Sequence, residues 1–235
     1  MRIENHSKEK IDINFLEIIN ILKKNKINYW MCNGTLLGLI RDKKLIPWDH
    51  DIDIALWKGE ISKERIKEIM FKNNYSLKSK FLIEDDLLTF VKKGGREVDI
   101  NFYQVVNKNN QELAYVKWHI PKNNFCKFVD ALSNADKYNG SYKYLIKLFF
   151  FFKPIFKFIK KIMIKKNLFY QTAGYSQPLD YLIDFKEINL YNINIVVPKK
   201  SEEYLKYVYG ENWKVPKQKY NWINDSPSTI KFKED

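Results

Sequence analysis

The chain has 235 residues, a formal charge of +13 and an aromatic fraction of 16%. That length can bury a sizeable core as one large domain, so no disulfide or structural metal is needed to hold it together. The basic excess calls for an acidic partner, which charge alone leaves open between nucleic acid, a nucleotide and an anionic membrane surface. Cys32 and Cys126 have no short metal-ligand spacing and read as two reduced residues, with Cys32 packed in a strand. The polar N-terminus carries no apolar signal core or cleavage site, which predicts a cytoplasmic chain.

In chain order, His6 to Lys26 places Ile11, Phe15, Ile18, Ile19 and Leu22 at helical spacing, with Lys and Glu opposite, and predicts an amphipathic helix on a sheet. Ile27 to Cys32 predicts the first strand, delivering Gly34 to a point where a phosphate can approach the backbone. The following stretch organises the chain: a strand ending in Asn33-Gly34-Thr35, a helix from Leu36 to Arg41, a turn through Pro47-Trp48, and a strand carrying Asp49, Asp51 and Asp53. Strand alternation puts Asp51 and Asp53 on one side and Ile52 and Ile54 in a core. Acids crowded in this way repel one another and resist desolvation, so a cation is expected among them. Oxygen-only ligands suit Mg2+ or Mn2+, and hence a substrate with phosphates. A solvated acidic strand face is the alternative, but it leaves Gly34-Thr35, the helix ending in Arg41 and the Pro47-Trp48 turn unexplained.

Gly34-Thr35 followed sixteen residues later by Asp51-Ile52-Asp53 resembles the glycine and paired-carboxylate signature of the nucleotidyltransferase fold. The longer string GTLLGLIRDKKLIPWDHDIDIAL resembles the LicD and fukutin-related family. Members of that family move a phosphorylated alcohol, such as phosphocholine or ribitol phosphate, from a CDP-activated donor onto a glycan. The resemblance departs at His50, where the family often has another acid, and at Lys43-Lys44, in a turn that often contains glycine. It implies an α+β nucleotidyltransferase fold with a small mixed sheet flanked by helices.

Further along, Ile61 to Lys72 has a helical pattern, Tyr75 to Ile83 and Leu87 to Lys92 read as strands, and Gly94-Gly95 reads as the turn into a strand from Arg96 to Tyr103. Asp99 sits inside that apolar strand between Val98 and Ile100. In the resembled fold a third carboxylate comes from such a strand and binds metal or takes a proton from the attacking hydroxyl; an edge-strand acid facing water is the alternative. The implied site is therefore Asp51, Asp53 and Asp99 as catalytic residues, the same three with Asp49 as metal ligands, and Gly34, Thr35, Arg41 and Trp48 against the substrate. Between Gln104 and Asn139 the pattern weakens, and His119 reads as a surface or packing histidine outside the site.

Tyr142 to Lys166 holds eight lysines and no acid, interleaved with Phe, Ile and Leu and interrupted by Pro154. The lysines forbid a membrane-spanning helix. Beyond Pro154, Lys157, Lys160, Lys161 and Lys165 fall on one helical face, with Ile155, Phe156, Ile159, Ile162 and Met163 on the rest, which predicts a helix lying at an anionic membrane surface. A core helix with a solvated lysine face is the competing expectation. A nucleic-acid role ranks lower, because no recognised nucleic-acid-binding motif accompanies the segment. The C-terminal part predicts strands from Ile183 to Ile188 and Ile193 to Val197, then a helix with Ser201 as N-cap and Gly210 at its end. Pro198, Tyr209, Gly210, Trp213 and Pro216 again resemble the LicD family.

The expectation is one catalytic domain with a basic helical insertion at about 142–166, peripheral at the inner face of the membrane. Its activity would be metal-dependent transfer of a phosphoalcohol from a CDP-activated alcohol donor to a glycan or lipid-linked oligosaccharide acceptor, releasing CMP. Two alternatives stay open: a nucleotidyltransferase that uses an NTP and releases pyrophosphate, and a non-catalytic membrane- or RNA-binding protein.

Overall fold

The computed structural model describes residues 11–78, 85–133, 142–166, 168 and 170–231. Its opening helix α1 (Ile13–Lys24) is capped by Asp12, whose carboxylate accepts from the Phe15 amide, and ends on Lys23 and Lys24. Residues 6–10 of the predicted helix lie outside the described residues. Phe15, Ile18, Ile19 and Leu22 are buried, as the periodicity requires. The helix is also pinned by polar contacts: the Asn14 amide donates to the Lys92 and Arg96 carbonyls at 3.0 and 2.8 Å, and the Arg96 amide donates to Asp12 at 3.0 Å. These contacts clamp the Gly94-Gly95 turn, and a Cβ on Gly95 would lie 2.6 Å from the Asn14 side chain.

Strand β1 is only Trp30–Met31, and α2 begins immediately at Asn33 and runs to Arg41. Asn33, Gly34 and Thr35 therefore form the first turn of a helix and not the end of a strand. Asn33 sits in the left-handed region at φ 45, a conformation that asparagine tolerates better than most residues. Strand β2 (Asp51–Trp57) follows, with Asp49 in the loop just before it. Helix α3 (Lys63–Lys72) is capped by Ser62, and β3 (Ser76–Leu77) and β4 (Leu87–Val91) are short. The residues 79–83 assigned to the first of these strands lie outside the described residues.

β5 (Glu97–Lys108) links the two halves of the sheet. Its first half lies parallel to β2 on one edge and antiparallel to β4 on the other; its second half pairs antiparallel with β6 (Gln111–Pro121). The Asn109-Asn110 turn has both residues at positive φ, which matches the twist of a two-residue hairpin. β6 in turn pairs with β7 (Tyr170–Pro178), and β7 with β10 (Thr229–Lys231). Among the described strands only the β2–β5 pair is parallel, so the sheet is mixed, as the resemblance implied. Helices and a separate hairpin, β8 (Phe185–Leu190) and β9 (Ile193–Pro198), flank it.

Helix α4 (Asn124–Ser133) carries α5 (Lys143–Leu148), a 3-10 turn over Phe150–Phe152, and α6 (Lys153–Lys165). Pro154 lies in the first turn of α6, where its missing N–H costs nothing. Helix α7 (Ser201–Tyr209) starts with Ser201 as its first helical residue and not as its cap; the Ser201 hydroxyl donates to the Pro198 carbonyl. Gly210, at φ 85, ends that helix, and a short α8 (Trp222–Asp225) precedes β10. Among the described residues no helix is long and apolar enough to cross a membrane.

Candidate active site

The β1–α2–β2 unit brings the acids together. Asp49, Asp51 and Asp53 each present a ligand oxygen, and these oxygens lie within 4.8 Å of one another. Asp99 on β5 is the in-register partner of Asp53, so it projects from the same face of the sheet. Thr35 fixes Asp53 from the helix side: the Asp53 amide donates to the Thr35 hydroxyl at 2.8 Å, and the Thr35 amide donates to Asp53 Oδ2 at 3.4 Å. Gly34 is glycine for a steric reason. A Cβ there would meet Asp49 Oδ2 at 2.4 Å and Asp53 Oδ2 at 3.4 Å.

Tyr204 braces the same turn from α7, donating through its hydroxyl to Asn33 Oδ1 at 3.2 Å. The C-terminal helix therefore holds the N-terminus of α2 in place beside the carboxylates.

Burial raises Asp51, Asp53 and Asp99. Asp51 is pushed up to about 7 by desolvation first, then by the charge of Asp49 and a hydrogen-bonding contact with it. Asp53, only 9% exposed, is raised by its burial and then by Asp51, Asp49 and Asp99. Asp99 is also pushed up to about 7 by burial, against the opposing pull of the Thr89 hydroxyl. Its Oδ1 is buried without a hydrogen-bond partner. Among the described residues no lysine or arginine forms an ion pair with any of the four, whereas neighbouring Glu97 is paired with Lys78 at 2.6 Å. Three clustered carboxylates, a fourth in register, an orphaned buried oxygen and a glycine that removes steric cover form a donor set that fits a hard divalent cation.

The acids open into a cleft of about 890 Å³, a size suited to a nucleotide-sized ligand. Every sequence-predicted site residue except Thr35 lines it. Thr35 lies behind the acids and works through Asp53. Arg41 reaches the cleft wall, but its Nε and Nη2 already make a bidentate pair with Asp42 at 2.8 and 2.7 Å. Trp48, 36% exposed, stands at the rim beside Asp49.

The cleft lining is also aromatic, and of the residues that form it here the sequence singled out only Tyr209. Trp118, Tyr175 and Trp222 pack on one another with centroids 5.2 to 5.6 Å apart, and Tyr209 and Tyr220 pair at 5.1 Å. These residues come from β6, β7, α7, α8 and the loop before α8, so only the tertiary fold assembles them. His119 also lines the cleft. Its Nδ1 lies 2.8 Å from Asp85 Oδ1, which also accepts from the His119 amide at 2.9 Å; Asp85 is buried.

A strand–helix–strand unit with a glycine at the helix start and carboxylates on a mixed sheet defines the nucleotidyltransferase class of site. Residues 26–133 match the family described as LicD/FKTN/FKRP, nucleotidyltransferase domain, the family that the sequence motif resembles. It is 33% identical over 79 residues to the lipopolysaccharide cholinephosphotransferase LicD of Haemophilus influenzae, covering 33% of this chain and 29% of that protein. It is 32% identical over 44 residues to the human ribitol 5-phosphate transferase FKRP, covering 19% of this chain and 9% of that one. The matches thus span less than a third of each of these relatives. Among solved structures, a lincomycin-bound lincosamide antibiotic adenylyltransferase, LnuA, aligns over 84% of this chain and 85% of its own, at a TM-score of 0.43 and 13% identity.

Proposed function

We propose that the protein transfers a phosphoalcohol group, of the phosphocholine or polyol phosphate kind, from a CDP-activated donor to a hydroxyl of a glycan or its lipid-linked precursor, with CMP leaving. The observation that carries this reading is the four-carboxylate cluster lining a nucleotide-sized cleft that is also lined by aromatic side chains. The match to the family model supports the class of reaction, since the names of the two relatives describe transfer of choline phosphate and of ribitol phosphate.

Asp49, Asp51 and Asp53, with Asp99 beside them, would hold Mg2+ or Mn2+ against the donor's diphosphate. The bound ion would supply neutralisation of the charge that builds on the departing phosphate. The protein contributes position. Gly34 lets phosphate oxygens come close, and Thr35 locks Asp53. Trp48 and the aromatic wall offer faces to a base or to the transferred alcohol. The Arg41 guanidinium, held by Asp42, keeps its remaining N–H groups for a phosphate. Asp99 completes the ligand set or takes the proton from the acceptor hydroxyl. Catalysis on this account is mostly orientation and charge stabilisation around an in-line displacement.

A thermal-shift screen of CDP-choline, CDP-glycerol, CDP-ribitol and the four NTPs, each with Mg2+, tests the donor class. Stabilisation by a CDP-alcohol above that by CTP is the expected result. Stabilisation by NTPs alone would favour a nucleotidyltransferase that retains the same acids.

A further inference from the structure

The α5, 3-10 and α6 segment has two faces of different character. One face is core: Met163 and Ile164 of α6 pack against Cys126 and Val129 of α4, with Phe156 and Ile159 beside them. Lys160 belongs to this inner face. It is 5% exposed and paired with Asp130 of α4, so the expected four-lysine face loses one member to an internal ion pair. Phe156, Ile159 and Met163 are likewise core residues and not an apolar surface.

The outer face carries a different apolar set. Leu148 is 73% exposed, Phe151 84% and Phe158 64%, with Leu145 and Ile155 also open to solvent. Single exposed apolar residues are ordinary, but a run of this extent along one helical segment marks a binding surface. Lys157, Lys161 and Lys165 form an exposed stripe along α6 beside that ridge, and the segment contains no acid.

We propose that this face docks the protein on an anionic lipid bilayer, with Leu148, Phe151 and Phe158 entering the headgroup–acyl boundary and the lysine stripe meeting anionic headgroups. Charge selects this occupant. A second copy applied through the same face would bring lysines against lysines. An acidic protein groove would satisfy the lysines but has no need of phenylalanines that stand this far out into solvent.

The docking face is tied to the cleft, because Asp130 both holds Lys160 and lines the cleft wall. If the transferase reading holds, docking would bring the protein to the surface that holds a lipid-linked acceptor. Docking itself does not depend on that reading.

The test is co-sedimentation of the full chain with vesicles of phosphatidylcholine alone and of phosphatidylcholine with phosphatidylglycerol, at physiological salt. Wild type should partition onto the anionic vesicles only. The triple variant K157E/K161E/K165E should bind them about a hundredfold more weakly, since each lysine near such a surface contributes on the order of 1 kcal/mol. F151S/F158S should bind at least tenfold more weakly, with both variants matching wild type in circular dichroism and melting temperature. Wild type remaining in solution at every lipid composition would overturn the proposal, as would variants that bind like wild type. Phenylalanine-dependent dimerisation without vesicle binding, or binding to RNA and not to vesicles, would overturn it too. The readout is partition and not turnover, so failure here leaves the transferase reading standing, and the reverse also holds.

Discussion

Thr35 and Asp53 hold each other in a reciprocal pair, hydroxyl to amide at 2.8 Å and amide to carboxylate at 3.4 Å, across the junction of α2 and β2. Both residues are buried, so the Asp53 amide has no alternative partner in water. Thr35→Ala should therefore cost about 1–3 kcal/mol of stability by urea unfolding, and Thr35→Ser much less. Equal destabilisation by the two variants would mean that the methyl group and not the hydroxyl matters.

Gly34→Ala tests the closeness of the acids directly. A Cβ placed 2.4 Å from Asp49 Oδ2 has to push that carboxylate aside, while the α2 turn itself accommodates alanine without positive φ. The expected result is Mn2+ binding weakened at least about tenfold by calorimetry, with a melting temperature close to wild type. Unchanged Mn2+ affinity would remove Asp49 from the ligand set.

The raised carboxylates make a prediction about pH. Asp51 and Asp99 titrate near about 7 in the folded, metal-free chain, against about 3.9 when unfolded. Between those values the folded chain binds protons that the unfolded chain has released, so their contribution to stability falls as pH rises, and the full penalty is present above pH 7. In EDTA, melting temperature should drop from pH 5 to pH 8 more steeply for wild type than for Asp51→Asn. Saturating Mg2+ should shrink that difference. Parallel pH profiles for the two proteins in EDTA would show that Asp51 is not strained by its neighbours. Asp51→Asn and Asp53→Asn should each abolish transfer while the fold survives.

The strand–helix–strand order, the glycine and the acids were legible because each depends on local pattern: alternation on a strand, a turn residue, a run of like charges; the mixed sheet was implied only by the family resemblance. The left-handed Asn33 and the helical start at that residue were not legible, since Asn33 is held by the Tyr204 hydroxyl, 171 positions away. The Asn109-Asn110 turn was a readable hairpin signal that polar surroundings obscured. The aromatic wall left no trace in sequence, because Trp118, Tyr175 and Trp222 meet only once β6, β7 and α8 are packed. The basic segment was seen, but helical periodicity alone did not say which of its faces meets α4.

His119, by sequence a surface or packing histidine, stands in the cleft with its Nδ1 held by Asp85, an arrangement that leaves Nε2 as an acceptor. His119→Ala should lower kcat by about a hundredfold if that nitrogen handles the acceptor proton, with Asp85→Asn giving a smaller loss of the same kind. An effect on KM alone would make His119 a binding residue and leave the proton to Asp99.

The central claim is the bond that breaks, and product identity tests it most directly. The protein is incubated with Mg2+, a soluble or lipid-linked oligosaccharide, and in separate reactions CDP-choline, CDP-glycerol, CDP-ribitol or each NTP, and CMP and pyrophosphate are quantified together. The account predicts CMP accumulating in step with phosphoalcohol on the oligosaccharide for one of the CDP-alcohols, no pyrophosphate from any NTP, and neither product after chelation. Pyrophosphate release with a nucleotidylated product, and no CMP from any CDP-alcohol, would contradict it.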